Sequence, residues 1–377
     1  MAKDKGKKGK SDKGKADKGT STARRSGRSK SGNGKSGNGK SGNGKSANGK
    51  SEHGKSGHGK SGHGKSARTS ADDPAKQPSA PSQAITVRQR DELTVGPERE
   101  LAIGIVQCPL PGPREENVER VVGLIREAAR QGAKIIITPE LMEGPYFCRV
   151  QDEAYFREAR PVEGNATLER FQALARELDV VLPYSWFEHT GQAYFNSVAV
   201  VDAGGALLGV YRKTHIPDGP GYMEKYYFRP GLGAPRVFPT RYGRLGVAIC
   251  WDQWYPECAR AMALEGAEML AYPTAIGSEP KSGEDTKDPW QRAMIGHAVS
   301  NSMPVAAANR IGHEGTLDFY GASFIANPRG DKVAELGKGE TGVAVARFDR
   351  KKLEERRASW GFFRDRRPDL YGRLLQP

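Results

Sequence analysis

A layered domain of mixed helices and strands, α/β or α+β in class, is the fold that the sequence predicts from Leu101 onward. Stretches of apolar residues with the length of a strand alternate there with segments of helical periodicity. Polar side chains follow several of the predicted strands, at the end where layered α/β folds collect ligands. The alternation continues over roughly 280 residues, a length compatible with one large layered domain.

The first elements are a strand, a helix and a second strand. The strand is predicted over residues 101–107 (LAIGIVQ). The helix follows, with Gly132 available as its C-terminal cap, and six apolar residues share one of its faces: Val118, Val121, Val122, Ile125, Ala128 and Ala129. Residues 133–140 (AKIIITPE) are predicted to be a buried strand that carries Glu140 at its C-terminal end.

The same alternation predicts the remaining elements. Pro256 stands where the first turn of a helix is expected, and proline is favoured at that position. The other predicted helices lie near residues 166–178 and 289–302. The predicted strands are 180–186, 195–201, 206–213, 244–250, 268–273, 304–310, 321–327 and 341–348.

Residues 1–92 form a tail of a different composition, rich in Lys, Gly, Ser and Asn and nearly free of large apolar side chains. Such a segment buries too little apolar surface to offset the entropy of ordering, so a disordered tail is predicted before a domain at 93–377. Seven five-residue repeats run from Lys30 to Gly64. Residues 1–80 carry 21 basic and 6 acidic side chains, a net +15 against +14 for the whole chain, so the tail is expected to contact polyanions weakly.

The cysteines and the hydropathy indicate a cytoplasmic protein. The chain has 4 cysteines, too few and too scattered for a disulfide framework, and none has the spacing of a metal site. Cys108, Cys148 and Cys258 are expected to be packing residues. No apolar run of about 18 residues or more occurs, and no apolar segment follows the basic N-terminus, so neither a membrane span nor secretion is predicted.

Glu140, Lys213 and Cys250 each fall at or just past the end of a predicted strand. A cysteine between a strand and a helix can attack a carbonyl carbon once it loses its proton. A glutamate can take that proton and return it to a leaving amine, and a lysine can stabilise the oxyanion. Taken alone, however, a cysteine beside Trp251 on an apolar strand is more typical of a packed core.

Four long segments carry a resemblance that changes this balance: TPELMEGPYFC (138–148), YRKTHIPDGPGYMEKYYFRPG (211–231), GVAICWDQWYPECARAMALEGAEMLAYPTAIGSEP (246–280) and AAANRIG (306–312). The chain from about residue 99 resembles the nitrilase superfamily of carbon-nitrogen hydrolases. The resemblance assigns the nucleophile to Cys250, the acid-base to Glu140 and the catalytic lysine to Lys213. It also assigns a second glutamate to Glu224.

The resemblance implies a four-layer αββα sandwich, and a homo-oligomer built from dimers in which the central layers continue across the interface. It implies a covalent thioester-like intermediate and requires no metal and no organic cofactor. His215, next but one to Lys213, is expected to shape the site rather than to react.

The expected substrate is a small cationic N-carbamoyl amine, with N-carbamoylputrescine, hydrolysed to putrescine, carbon dioxide and ammonia, as the best fit. Superfamily members that act on N-carbamoyl amino acids often carry arginines three and four positions after the nucleophile, where this chain has Gln253 and Trp254. A carboxylate would suit a distal amine. Candidates for that role are Glu279, then Asp252 and Glu143, and Tyr146 and Trp251 are candidates to line the carbon chain.

Two alternatives stay open. Another linear amide or N-carbamoyl amine could be the substrate within the same superfamily. In a different class, the chain could be a nucleic-acid-binding protein that acts through its basic tail, although the tail has no aromatic side chains on which bases could stack.

Overall fold

Two β-sheets face each other in the computed structural model, which describes residues 100–376. The tail predicted at 1–92 lies outside the described residues. The first sheet has six strands in two halves, which a bridge between Ile135 and Val181 joins. The second sheet also has six strands, and two further strands pair as a separate hairpin.

The strands are β1 (Glu100–Gln107), β2 (Ile135–Ile137), β3 (Leu182–Thr190), β4 (Ala193–Val201), β5 (Leu207–Arg212), β6 (Arg236–Thr240), β7 (Gly243–Val247), β8 (Met269–Thr274), β9 (Val305–Asn309), β10 (Ile311–Glu314), β11 (Leu317–Tyr320), β12 (Phe324–Ala326), β13 (Lys332–Glu335) and β14 (Gly342–Asp349). The helices are α1 (Arg114–Arg130), α2 (Ala166–Leu178), α3 (Pro256–Leu264), α4 (Lys287–Asn301) and α5 (Arg350–Trp360). The strand order is β14-β1-β2 followed by β3-β4-β5 in the first sheet and β13-β12-β9-β8-β7-β6 in the second, and the separate hairpin pairs β10 with β11.

Helices cover the outer face of each sheet. The apolar faces of α1 and α2 pack on the first sheet, in a core that includes Val121, Phe171 and Ile136. Helices α3 and α4 pack on the second sheet through residues such as Met262 and Met294, in the same core that fills the space between the sheets. The predicted four-layer αββα sandwich is therefore confirmed.

Strand β1 shows why this sequence builds layers. Leu101, Ile103 and Ile105 alternate along the strand and point into the core between the sheets, because successive side chains of a strand face opposite ways. On the other face, a Cβ at Gly104 would come within 2.8 Å of the Ala133 Cβ atom. Glycine there lets the chain beyond α1 lie directly on the sheet.

Several elements differ from prediction. Strand β2 ends at Ile137, so Glu140 lies three residues beyond it rather than at its end, and Cys250 begins a short 3₁₀ helix, Cys250–Trp254. Strands β6, β10, β11 and β13 and helix α5 were not predicted. Helix α5 has no buried residue and hence no apolar stripe to reveal it. Among the described residues, no helix is both long and apolar enough to cross a membrane.

Candidate active site

Lys213 lies between two glutamates at the end of β5. Its Nζ donates to Glu140 Oε1 at 2.9 Å and to the two carboxylate oxygens of Glu224 at 2.9 and 2.7 Å. All three side chains are fully buried. We call Glu140, Lys213 and Glu224 the lysine–glutamate cluster. A buried charge has to be paired to be tolerated, and here each charge has a partner.

One oxygen of Glu140 is held and the other is free. Asn196 in β4 donates to Glu140 Oε1 at 2.6 Å, in addition to the bond from Lys213. Glu140 Oε2 is buried and has no hydrogen-bond partner among the described residues. A buried acceptor without a partner is costly. This oxygen is thus available to take a proton from a neighbouring group or from substrate.

Cys250 occupies a strained turn after β7, as the first residue of the 3₁₀ helix. Its φ of 39° lies in the left-handed region, which costs a residue with a side chain on the order of 1–3 kcal/mol. The residue is only 4% exposed, and its Sγ lies 3.8 Å from the carbonyl oxygen of Ala275. The thiol lies within electrostatic range of Glu140 and Lys213.

The electrostatics of the site favour a neutral resting thiol. Burial, and after it the Glu140 carboxylate, raise the pKa of Cys250 well above its usual value. Burial alone would lower the pKa of Lys213, but the Glu140 and Glu224 carboxylates together raise it well above the usual range. Burial also raises the pKa of Glu224, despite the opposing Lys213 ammonium. The lysine thus stays charged, and the cysteine needs a base to become a nucleophile.

We expect no thiolate in the resting protein below about pH 9, because a raised pKa moves deprotonation to higher pH. Burial is the largest cause at all four cysteines and raises the pKa of Cys108 and of Cys258 to about 12. The measurement is the ultraviolet absorbance of thiolate during a pH titration, with urea-unfolded protein as the control that titrates normally. A step below pH 8 that Cys250→Ser removes would contradict the expectation.

Arg310 fixes the loop that carries Glu140. Its side chain is fully buried, and one guanidinium nitrogen donates to the carbonyl oxygens of Glu140, Leu141 and Gly144 at 2.9–3.2 Å. Glu314 pairs with the same guanidinium at 2.9 Å and accepts from the amide of Tyr146. Arg310 immediately precedes β10 and Glu314 is its last residue, so the β10–β11 hairpin anchors the loop.

The structure brings Tyr146 into contact with the cluster and places Glu279 and Trp251 nearer the surface. The Tyr146 hydroxyl donates to Glu224 Oε1 at 2.6 Å, and its buried ring packs edge-on against Tyr222. Tyr222 lies within electrostatic range of both Cys250 and Glu279. Glu279 is exposed, and Trp251 is 37% exposed with its ring edge-on to Trp254.

Asp252 and Glu143, the other two candidate acids, are already paired. Asp252 is fully buried and accepts from the Tyr211 hydroxyl, the Ile249 amide, and the amide and ring of His215. Glu143 accepts from Tyr184 and lies 3.3 Å from the Arg114 guanidinium. Neither acid is free for a substrate amine, so the geometry counts against both predictions.

Comparison with known proteins decides the family. The model of the family described as carbon-nitrogen hydrolase matches residues 102–358, more than half of the chain. The chain belongs to the carbon-nitrogen hydrolase family. The predicted resemblance to the nitrilase superfamily is thereby confirmed, and this chain is an amide-hydrolysing enzyme by family.

The alignments of this hydrolase with individual relatives cover nearly the whole length of each relative. N-carbamoylputrescine amidase of Arabidopsis thaliana is 50% identical over 291 residues, 75% of this chain and 97% of that protein. Citrullinase of Francisella tularensis is 47% identical over 281 residues, 73% of this chain and 98% of that protein. The crystal structure of a carbon-nitrogen hydrolase from Helicobacter pylori superposes with a TM-score of 0.70 at 37% identity, covering 74% of this chain and 99% of that one.

Sequence reasoning missed three residues of the hydrolase's site. Asn196 had a signal, since it is a polar residue within a strand of apolar ones. Arg310 and Tyr222 lie inside the segments that carried the family resemblance, but nothing in their spacing indicated that they would reach Glu140 or lie near Cys250.

Proposed function

We propose that this hydrolase converts N-carbamoylputrescine into putrescine, carbon dioxide and ammonia, with Cys250 as nucleophile. The observation that carries the proposal is the buried lysine–glutamate cluster beside a cysteine in a strained turn. These are the groups that cysteine-based hydrolysis of an amide or ureido carbon needs. The substrate assignment is supported by the 50% identity to the Arabidopsis amidase over nearly its whole length.

The first half of the reaction forms the acyl-enzyme. Glu140 Oε2, which lacks a partner among the described residues, takes the thiol proton as Cys250 attacks the carbamoyl carbon. The Lys213 ammonium and a backbone amide stabilise the oxyanion. Glu140 then returns the proton to the departing nitrogen, and the C–N bond breaks to leave a thioester-like intermediate.

The second half restores the enzyme. Glu140 removes a proton from water, which attacks the intermediate, and the C–S bond breaks with the proton returned to Cys250. Glu224 acts through Lys213, which it holds with two hydrogen bonds, and Tyr146 in turn holds Glu224. Across both halves, each turnover cleaves one C–N bond on the enzyme and consumes one water. The carbamic acid that is released then decomposes to carbon dioxide and an amine or ammonia.

A panel of substrates tests the proposal. Ammonia release should be fastest with N-carbamoylputrescine and much slower with N-carbamoyl-β-alanine and simple ω-amides. Citrulline belongs in the panel, because a citrullinase is 47% identical to this chain. A preference for citrulline would show that the carboxylate of an amino acid, and not only a distal amine, is recognised, and would overturn the substrate assignment.

Glu279→Gln is expected to raise KM for N-carbamoylputrescine while leaving kcat nearly unchanged, because a remote ion pair is made equally in the ground and transition states. Glu279 is exposed in the free chain, so the expected increase is roughly threefold to thirtyfold, between the effects of an exposed and a desolvated pair. Steady-state kinetics on the charged substrate and on an uncharged ureido compound of equal length provide the measurement.

The matched control is Glu284→Gln, an exposed acid of the same loop. It should leave both constants unchanged. An equal rise in KM for the charged and the uncharged substrate would show that Glu279 supports the loop instead of the amine.

We also propose that the hydrolase assembles as a homo-oligomer built from dimers. Large apolar side chains near the C-terminus support this, because they lie exposed on the single chain: Leu370 and Leu374 are each 64% exposed, and Leu375 is 90% exposed. Exposed apolar groups of this size are typical of surfaces that contact another chain.

Deleting the tail, residues 1–92, is expected to leave kcat and KM nearly unchanged, because the excess of positive charge lies outside the domain that holds the site. What should fall is retention on heparin or DNA at low salt, since that binding is electrostatic. Both are measured on the two proteins side by side. Equal retention would refute the assignment of polyanion contact to the tail, and lost activity would show that the tail belongs to the enzyme.

A further inference from the structure

His215, Asp252 and Cys258 converge beside the proposed active site, and the mechanism above uses none of them as a reacting group. One ligand atom from each lies within 4.8 Å of the other two. They come from three separate places: the segment after β5, the 3₁₀ helix that begins at Cys250, and the first turn of α3. We propose that these residues form an inhibitory site for a thiophilic divalent cation, of which Zn²⁺ is the reference.

The donor set and its spacing suit such a cation. Imidazole, thiolate and carboxylate are the three ligand types that zinc takes in proteins. Bond lengths of about 2.0–2.1 Å to nitrogen and 2.3 Å to sulfur place the two atoms of a tetrahedral site roughly 3.6 Å apart. The His215 Nδ1 and Cys258 Sγ atoms are 3.7 Å apart. The Nδ1 and Asp252 Oδ1 atoms, now 2.8 Å apart, would have to separate by roughly half an ångström.

The groups around the site would orient two of the ligands. The imidazole of His215 stacks on the ring of Tyr255, with centroids 3.7 Å apart. The other oxygen of Asp252 accepts from the Tyr211 hydroxyl and from the Ile249 amide. Such outer partners fix metal ligands in place. The His215 side chain is 31% exposed, which offers a route of entry and a water as the fourth ligand.

Cation binding would reach both catalytic segments through Asp252. This residue holds the Ile249 amide, immediately before Cys250, and the His215 amide, two residues after Lys213. Moving its carboxylate onto a metal pulls on both bonds. Since an active site loses much of its rate through displacements of an ångström or less, we expect reversible inhibition that lowers kcat more than it raises KM.

Binding is tested with Co²⁺ as the spectroscopic probe, on the full chain carrying Cys250→Ala so that the proposed nucleophile cannot supply a thiolate. One cobalt per chain should produce a thiolate-to-metal charge-transfer band, as Cys258 releases its proton to solvent and His215 binds through Nδ1 with its ring proton carried on Nε2. The added change Cys258→Ser should remove the band. Histidines in the tail repeats can bind cobalt but cannot produce this band, so a missing band, or one that survives Cys258→Ser, overturns the site.

Inhibition is tested with Zn²⁺ on the active full chain, and this second test alone rests on the proposed function. Cys258→Ser should keep the basal activity and weaken zinc inhibition by at least about tenfold, because a loss of that size is already typical when only an outer partner of a metal ligand is removed. A chelator should restore the inhibited enzyme. Equal inhibition of the two proteins would show that zinc acts elsewhere. Failure of the substrate assignment would leave the cobalt result untouched.

Discussion

Cys250→Ala is expected to remove hydrolysis almost completely, with kcat/KM lower by at least about three orders of magnitude, while the protein stays folded. The reason is chemical, because the variant loses the thiol that forms the covalent intermediate and the lysine–glutamate cluster contains none. The fold should survive, since alanine is smaller than cysteine and adopts the φ of 39° at a similar cost. Ammonia release measures activity, and circular dichroism with thermal unfolding measures the fold.

Cys258→Ser is the matched control for this experiment. Cys258 is as buried as Cys250, at 4% exposure each, but it lies on α3 and its sulfur contacts His215, which the proposed mechanism does not use as a reacting group. The control should hydrolyse substrate like the unmodified protein. If an electrophilic substrate analogue labels Cys258 instead of Cys250, the placement of the nucleophile is wrong.

Glu140→Gln should lower kcat by roughly two to four orders of magnitude with little change in KM, the range expected for loss of a general acid-base group. The hydrogen bonds to the Glu140 carboxylate both reach Oε1, which a glutamine amide oxygen can replace for Lys213 and Asn196. The amide NH₂ would then occupy the place of the oxygen that lacks a partner. The variant thus keeps the packing and removes the proton acceptor.

Glu153→Gln, at an exposed acid of the 3₁₀ helix Glu153–Glu158, is the control and should not change kcat. The dependence of kcat on pH, compared between Glu140→Gln and the unmodified protein, is a second measurement. If Glu140 only holds Lys213 in place, Glu140→Gln should retain most of kcat, and a loss smaller than tenfold would remove Glu140 from the proposed acid-base role.

The sequence predicted the elements whose periodicity is set by burial. Strand β1 is a continuous apolar run because both of its faces are packed. Helix α1 repeats apolar residues at helical spacing because one of its faces is packed, and Val118, Val121, Val122, Ile125 and Ala128 are all buried as predicted. Ala129, counted on the same face, is only partly buried. Helix α5 and hairpin β10–β11 escaped prediction because no apolar stripe or strict alternation marks them.

The residues of the site likewise differ in whether a local sequence pattern marks them. Glu140, Lys213 and Cys250 could be proposed from their places after strands, because position along a strand is a local property. The role of Asp252 could not, since its burial and its four hydrogen bonds come from Tyr211, Ile249 and His215. Arg310 likewise reaches residues 166 to 170 positions away, and such contacts have no signature within a sequence window.

The active site is divided between the two sheets. Glu140 and Lys213 follow β2 and β5 of one sheet, and Cys250 follows β7 of the other. Neither sheet could therefore support turnover by itself, and a partly folded chain that kept only one of them would be inert. Catalytic activity therefore reports whether the domain unfolds cooperatively. Denaturant should abolish activity in the same transition that separates the two sheets, with no earlier loss of activity from unfolding confined to the active site.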